Sequence, residues 1–181
     1  MIRGLVVLCV ATALLCACNP RNPAALRSPS PSPGRHTGCG PWLHITGYGT
    51  AKHPLRFVQQ QNNRKQYDLV AHSYESTGAQ CSAIATFFTV HVTFFGNDGT
   101  RLIAVAPQAI VDEAANTITL TGRVHAKTDS GMTLDCDRLT YDQRAQMVHG
   151  EGHVVMMNAH GARATGNRVD SDVTLTRAEM R

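Results

Sequence analysis

The sequence predicts an all-β domain, a twisted antiparallel β-jelly-roll with open strand edges. Three observations predict it. Apolar and polar residues alternate from about residue 55 onwards, turn-forming residues interrupt the alternation every eight to twelve residues or so, and one motif recurs after roughly thirty residues. With 181 residues, of which 43% are hydrophobic, the chain holds one such domain and has length left for targeting.

Residues 1–17 are predicted to be a lipoprotein signal peptide. A positive start at Arg3 precedes an almost unbroken apolar run from Leu5 to Cys18, which is too short to cross a hydrocarbon core about 30 Å thick. The run ends in Leu15-Cys16-Ala17-Cys18, which resembles the bacterial lipobox. We therefore expect Cys18 to be lipidated, and the alternative is an ordinary secreted protein.

Residues 18–41 are predicted to be a lipid-anchored tether. They are rich in Pro and Ser, with the run Ser28-Pro29-Ser30-Pro31-Ser32-Pro33, so they cannot bury a core and favour an extended, polyproline-like conformation. Such a tether holds residues 42–181, the expected folded domain, at a distance from the membrane. The basic N-terminal half suits an acidic membrane surface, and without a dense basic run we expect no nucleic-acid partner.

Three cysteines remain after the signal peptide. An exported chain enters an oxidising compartment, so a disulfide is possible, and Cys39 with Cys81 is the preferred pair. Cys136 has the pattern of a buried strand residue. Since no two of these cysteines have chelating spacing, zinc is not expected.

The strand pattern is clearest between residues 117 and 127. There one face carries apolar and small residues and the other carries Thr, Arg, His and Lys, which is typical of a half-buried antiparallel strand. Turns are predicted at Asn97-Asp98-Gly99 and at Asp129-Ser130-Gly131. The residues expected to face inward on this strand are Ile118, Leu120, Gly122, Val124 and Ala126.

An internal repeat of about thirty residues organises the second half of the domain. Each copy has the form strand, turn, strand, turn, and stacked copies bury their apolar faces against each other while leaving an open strand edge at both ends of the stack. The matched residues are Gly122 with Gly152, Val124 with Val154, Gly131 with Gly161, Arg138 with Arg168, and Asp142 with Asp172.

These motifs resemble one known family. Leu120-Thr-Gly122-Arg-Val124, Gly131-Met-Thr-Leu134 and Asp137-Arg-Leu139-Thr-Tyr141-Asp142 are similar to the periplasmic lipopolysaccharide-transport domains, which comprise LptC, LptA and the N-terminal domain of LptD. The upstream segment Arg64–Ala71 is most similar to LptC. The resemblance covers about residues 55–177 and implies a jelly-roll, open along one side, that shields lipid acyl chains.

The resemblance also implies partners: lipopolysaccharide, the inner-membrane ABC transporter at one edge, and an LptA-like protein at the other. It favours the inner membrane over the outer for the periplasmic lipid anchor, although many LptC proteins use a transmembrane helix instead. The implied partner edges contain Leu55, Phe57, Tyr67 and Leu69 at the start, and Val169, Val173 and Leu175 at the end.

An acyl-chain carrier needs a continuous apolar lining, because an exposed methylene costs about 0.8 kcal/mol in water. Each lining residue could equally belong to a closed core. The residues expected to line the groove are Ile118, Leu120, Val124, Met132, Leu134, Val148, Val154 and Met156.

The sequence also suggests two other kinds of function. His149 and His153 share a strand face with Glu151, which suggests a metal-binding lipoprotein, but a solvated face is the simpler interpretation and no metal or other cofactor is expected. No catalytic motif is present in the sequence, so we expect no enzyme. The remaining alternative is an envelope lipoprotein that uses its open β-edges only to bind other proteins.

Overall fold

The computed structural model describes residues 43–78 and 84–181, and within these ranges the chain is antiparallel β-sheet. The predicted signal peptide, the tether and the Cys39–Cys81 pair lie outside them. No helix in the described ranges is long and apolar enough to span a bilayer. The strands are β1 (Leu43–Tyr48), β2 (Leu55–Gln61), β3 (Arg64–Gly78), β4 (Ile84–Phe95), β5 (Arg101–Asp112), β6 (Thr117–Thr128), β7 (Thr133–Asp142), β8 (Met147–Met157), β9 (Arg163–Asp172) and β10 (Ala178–Met180).

The strands form one sheet that follows the order of the chain. From β3 to β10 each strand pairs with the next, while β2 lies along the first half of β3 and β1 along its second half. The sheet does not close on itself, so β1 and β2 stand at one end and β10 at the other. This arrangement confirms the predicted all-β jelly-roll with open edges.

The predicted repeat is visible in the turns. Asp112, Asp142 and Asp172 end β5, β7 and β9 at intervals of thirty residues. In the first two, the carboxylate accepts a hydrogen bond from a backbone N–H of the turn that follows, at 2.9 Å from Ala115 and at 2.8 Å from Arg144. Each Asp thus satisfies turn donors that would otherwise need water.

The repeat also places a bulge in the middle of alternate strands. Gly122 and Arg123 in β6 have φ angles of 90° and 68°, and Gly152 and His153 in β8 have φ angles of 75° and 46°. At both places the pairing register shifts by a residue, and such bulges bend a strand. Gly122 is exposed at this bend, so its predicted inward position was wrong.

The bends fold the whole sheet in two, as the contact between Phe94 and Tyr141 shows. Along the register Tyr141 aligns with Ile118, Val111 and finally Ala85 of β4. Ala85 and Phe94 are nine residues apart, which is about 30 Å along an extended strand. The Phe94 and Tyr141 rings are nevertheless 4.4 Å apart between centroids.

The fold line separates two leaves, which face each other across a single core. The first leaf contains Tyr141 and the adjacent halves of the strands, and the second leaf contains Phe94 and the other halves. In β7 the inward positions are Leu134 and Cys136 in the second leaf but Leu139 and Tyr141 in the first, so the alternation changes phase at the fold line.

Substitution of Gly152 tests how tightly the bend is packed. A Cβ there would collide with the Asp137 carboxylate and lie 3.0 Å from its Cβ, whereas a Cβ at Gly161, which has a similar φ of 83°, meets nothing within 4 Å. Gly161→Ala therefore carries only backbone strain, about 1 kcal/mol. We expect Gly152→Ala to lower the free energy of unfolding by a further ~1–2 kcal/mol in urea titrations. Equal losses for both variants would contradict a crowded bend.

Candidate lipid-binding interior and strand edges

The structure brings the predicted lining residues into one core. Seven of them are buried, with at most 7% of their surface exposed. The first leaf contains Ile118, Leu120 and Val148, and the second leaf contains Val124, Leu134, Val154 and Met156. Met132 is partly buried and packs against the same core. The lining positions are therefore the inner faces of both leaves, packed together.

The interior also contains residues that were not predicted. Val92, Phe94, Leu102, Ala104 and Leu139 are fully buried. The alternation of apolar and polar residues in β4 and β5 would have identified most of these residues as inward-facing. Their contact with the repeat strands, however, depends on the folding of the sheet. Neither local pattern nor spacing encodes that contact.

The apolar interior contains buried hydroxyl groups. The Tyr141 hydroxyl and Ser171 Oγ have no hydrogen-bond partner among the described residues. Both lie in the first leaf, on either side of Val148 in the register. Burial raises the pKa of Tyr141 to about 12, so its hydroxyl remains neutral and able to donate.

Apolar cavities open between the leaves at both ends of the stack of strands. The one at the β1/β2 end has a volume of about 260 Å³, and its walls include Phe57, Tyr74 and Phe87, whose rings pack at 4.8–5.8 Å. The one at the β10 end has a volume of about 270 Å³ and is lined by the flexible side chains of Met132 and Met156, with two further methionines, Met157 and Met180.

The model of one protein family matches this chain. It is described as "Lipopolysaccharide-assembly, LptC-related", and the match covers residues 50–180, well over half of the chain. The chain belongs to the LptC-related family. A comparison with curated proteins gave no match.

Membership of the LptC-related family confirms the resemblance and implies a role in lipopolysaccharide transport and assembly. The family is one of periplasmic, envelope-associated transport proteins, whose partners are lipopolysaccharide and other Lpt components. The folded sheet with its apolar interior is consistent with this role.

The first edge of this LptC-related domain lies on β2 and β1. Leu55 and Phe57 are on β2, whose outer side has no strand partner within the described ranges. Tyr67 and Leu69, which we predicted at the same edge, are on β3. That strand pairs with β2 on one side and with β4 on the other, so these two residues lie one strand inside the edge, and both are buried.

The last edge also differs from the prediction. Val169 lies on β9, but β10 folds back and pairs it with Met180. Val173 and Leu175 follow β9 in a turn, with 3% and 1% of their surface exposed, and so anchor the turn to the core. Arg181 extends this pairing by backbone hydrogen bonds to Asn167 and Arg168, so within the described residues the segment 163–166 of β9 has no backbone partner on this side.

A partly buried ion pair fixes β2 to β3. The Arg56 guanidinium donates two hydrogen bonds to the Asp68 carboxylate, one of them at 2.8 Å from Nε to Oδ1, and Lys65 lies 3.8 Å away. The hydrogen bond from Arg56 holds the pKa of Asp68 below its usual value. The Asp68 side chain is only 11% exposed, which makes it the most sheltered carboxylate among the ion pairs of the described residues.

The histidines of the outer face pair separately with aspartates. His149 contacts Asp170 on β9 at 2.6 Å, and His153 contacts Asp137 on β7 at 2.7 Å. Residues 43–78 and 84–181 contain no group of three or more metal-ligating side chains that could hold an ion.

Cys136 is a free thiol in the core, in agreement with the buried position predicted for it. Burial raises its pKa to about 12. The thiol therefore stays protonated at neutral pH and is a poor nucleophile.

The hydroxyl of Tyr141 should be dispensable for stability. Tyr141→Phe removes a buried polar group that has no partner, so we expect the free energy of unfolding to stay unchanged or to rise by about 1 kcal/mol. Ser171→Ala should behave in the same way. Thermal and urea unfolding measure both, and a loss above about 1 kcal/mol in either variant would show that the hydroxyl is hydrogen-bonded.

The Asp68 ion pair should make stability dependent on pH. Because the pKa of Asp68 is lower in the folded protein, its contribution is present above the unfolded pKa of about 3.9 and is lost as the pH falls through the folded value. We expect Asp68→Asn to lower the urea midpoint at pH 7, with the difference from wild type vanishing in acid.

The matched control is Asp129→Asn. Asp129 also pairs with an arginine, Arg101, at 3.0 Å, but it is 39% exposed. Water screens such a surface pair, so its effect at pH 7 should be smaller. If Asp129→Asn lowered the urea midpoint at pH 7 as much as Asp68→Asn or more, the stabilising role of the sheltered Asp68 carboxylate would be contradicted.

Proposed function

We propose that this chain is the LptC-type bridge of lipopolysaccharide export, and that it holds lipid acyl chains between its two leaves. The observation that carries the proposal is the continuous apolar core between the leaves, with a cavity at either end. A chain of methylenes that entered at the β1/β2 cavity and left at the β10 cavity would meet apolar side chains throughout.

The leaves must part to admit a lipid. Leu120, Leu134 and Leu139 have no exposed surface, and a core packed in this way leaves no room for an acyl chain. Contacts between leaves such as Phe94–Tyr141 then give way to contacts with the lipid, at about 0.8 kcal/mol for each methylene removed from water. The open sheet, whose end strands have no further strand partner within the described ranges, supports such a movement.

The open edges suit strand addition by neighbouring proteins. We assign the outer edge of β2 to the inner-membrane ABC transporter and the β9/β10 edge to an LptA-like protein. The apolar cavities lie beside these edges, so a partner strand that extends the sheet would also extend the lining of the interior.

The N-terminal segments complete the proposal. The lipobox ending in Cys18 would supply a diacylated anchor, which we assign to the inner membrane, and residues 18–41 would hold the domain in the periplasm. The proposed Cys39–Cys81 disulfide would tie the start of the domain to the segment between β3 and β4.

Photo-crosslinking in cells tests the lipid-carrying interior. A probe at Leu134, which has no exposed surface, should capture lipopolysaccharide. A control probe at the neighbouring Asp135, which faces outward and pairs with His125, should not. Capture at neither site in a folded protein would favour the alternative, an envelope lipoprotein that binds only proteins, which the tightly packed core also fits.

A second pair of probes tests the assignment of the first edge. Val58 on β2 and Val105 on β5 are the same residue type and are both 42% exposed, but only β2 is an edge strand. We expect a probe at Val58 to crosslink to the transporter and a probe at Val105 to give at least about tenfold less product. Equal products would show that general surface contact, not strand addition, brings the partners together.

A further inference from the structure

The two leaves meet at a polar mouth on the side opposite the fold line. Gln66 at the tip of the second leaf accepts a hydrogen bond from the amide of Gln146 at the tip of the first, at 3.1 Å. The residues are eighty positions apart, and Gln66 is only 7% exposed. This contact bridges the two leaves where the interior reaches the surface.

A cleft of about 600 Å³ lies over this contact. Its walls come from the turns after β2, β4 and β7, so both leaves contribute. Six of its lining side chains are amides, among them Gln61, Gln66, Gln143 and Gln146, and two are the guanidinium groups of Arg64 and Arg144.

The cleft is positively charged and has no internal counterion. No carboxylate belongs to its lining, and within the described part of the chain neither Arg64 nor Arg144 makes a salt bridge. Other arginines of the sheet, such as Arg56 and Arg101, do pair with aspartates. Arg64 and Arg144 are therefore free to bind an anion from solution.

The backbone of Gln146 is in a conformation that glutamine rarely adopts. Its φ is 55°, whereas the corresponding turn thirty residues earlier has Asn116 with a φ of 57°, and asparagine tolerates this region better. Strained backbone of this kind clusters at functional sites. Here it places the Gln146 side chain on Gln66, at the base of the cleft.

We propose that this mouth cleft binds the phosphorylated saccharide of the glycolipid whose acyl chains lie between the leaves. Guanidinium groups bind phosphate oxygens with strong, directed hydrogen bonds, and amides supply both donors and acceptors for sugar hydroxyls. An amphiphile with its acyl chains in the core has its polar part at the mouth, which is where the cleft lies. The inference rests on the proposed function and adds a headgroup site to it.

Binding of two lipids to the full-length protein tests this site. The probes are diphosphorylated lipid A and the same lipid after removal of its phosphates. We expect wild-type protein to bind the phosphorylated form about tenfold or more tightly. The double variant Arg64→Gln/Arg144→Gln should lose this preference while it binds the dephosphorylated lipid as wild type does.

The matched control is Arg123→Gln/Arg138→Gln, which removes two exposed arginines of the outer face that have no salt bridge within the described residues. It should retain the preference. An equal loss in this control would show that net charge alone attracts the lipid and would overturn the site. Equal affinity of wild type for both lipids would overturn it too, yet would leave acyl-chain binding intact, whereas binding of neither lipid would reject the proposed function itself.

A competition experiment separates a headgroup from free phosphate. Glucosamine 1-phosphate should displace the phosphorylated lipid at lower concentration than inorganic phosphate does. If inorganic phosphate competes equally well, the cleft recognises the anion without the sugar, and the saccharide assignment is wrong.

Discussion

The packing of one half of the sheet against the other is the constraint on which the rest of this structure depends. A sheet with one apolar face must cover it, and the described part of the chain contains no helix that could do so. The chain instead bends its long strands at the mid-strand bulges, so that Phe94 meets Tyr141. The interior, the end cavities and the mouth all follow from this single folding of the sheet.

This arrangement separates three kinds of surface, as the proposed binding of a glycolipid requires. The apolar faces are inside and are continuous from the aromatic cavity at β2 to the methionine-lined cavity at β10. The amides and arginines of the mouth lie along one side. The strand edges lie at the two ends of the sheet, where a neighbouring protein could add strands and extend both the apolar interior and the mouth.

Much of the fold could be predicted because it depends on the local pattern of apolar, polar and turn-forming residues. The alternation of residues 117–127 correctly predicted β6. Asp112 and Asp142 recur thirty residues apart, and each accepts a hydrogen bond from the backbone N–H three residues later in its turn. The sequence-based prediction did not account for the effect of the bend. Gly122 continues the inward alternation in the sequence, yet the bulge exposes it, since a bulge adds a residue that no spacing rule counts.

The errors at the edges have a similar origin. The resemblance implied that Tyr67 and Leu69 lie at the first edge, but the chain reverses at Asn62 and β2 pairs with β3 on its outer side. Val173 and Leu175 have the spacing of a strand, but the turn that begins at Asp172 packs both into the core. The reversal before β3 is a local turn, in which Asn62 and Asn63 have φ angles of 51° and 61°. The burial of Val173 and Leu175 instead depends on contacts between elements, which a single sequence does not reveal.

A distance across the mouth measures most directly whether the two leaves separate when lipid binds. Spin labels introduced as unnatural amino acids at positions 66 and 146 would report this distance by pulsed electron paramagnetic resonance. If lipid binds between the leaves, the distance is short in the free protein and longer when lipid A is bound. An unchanged distance at saturating lipid A would contradict binding between the leaves.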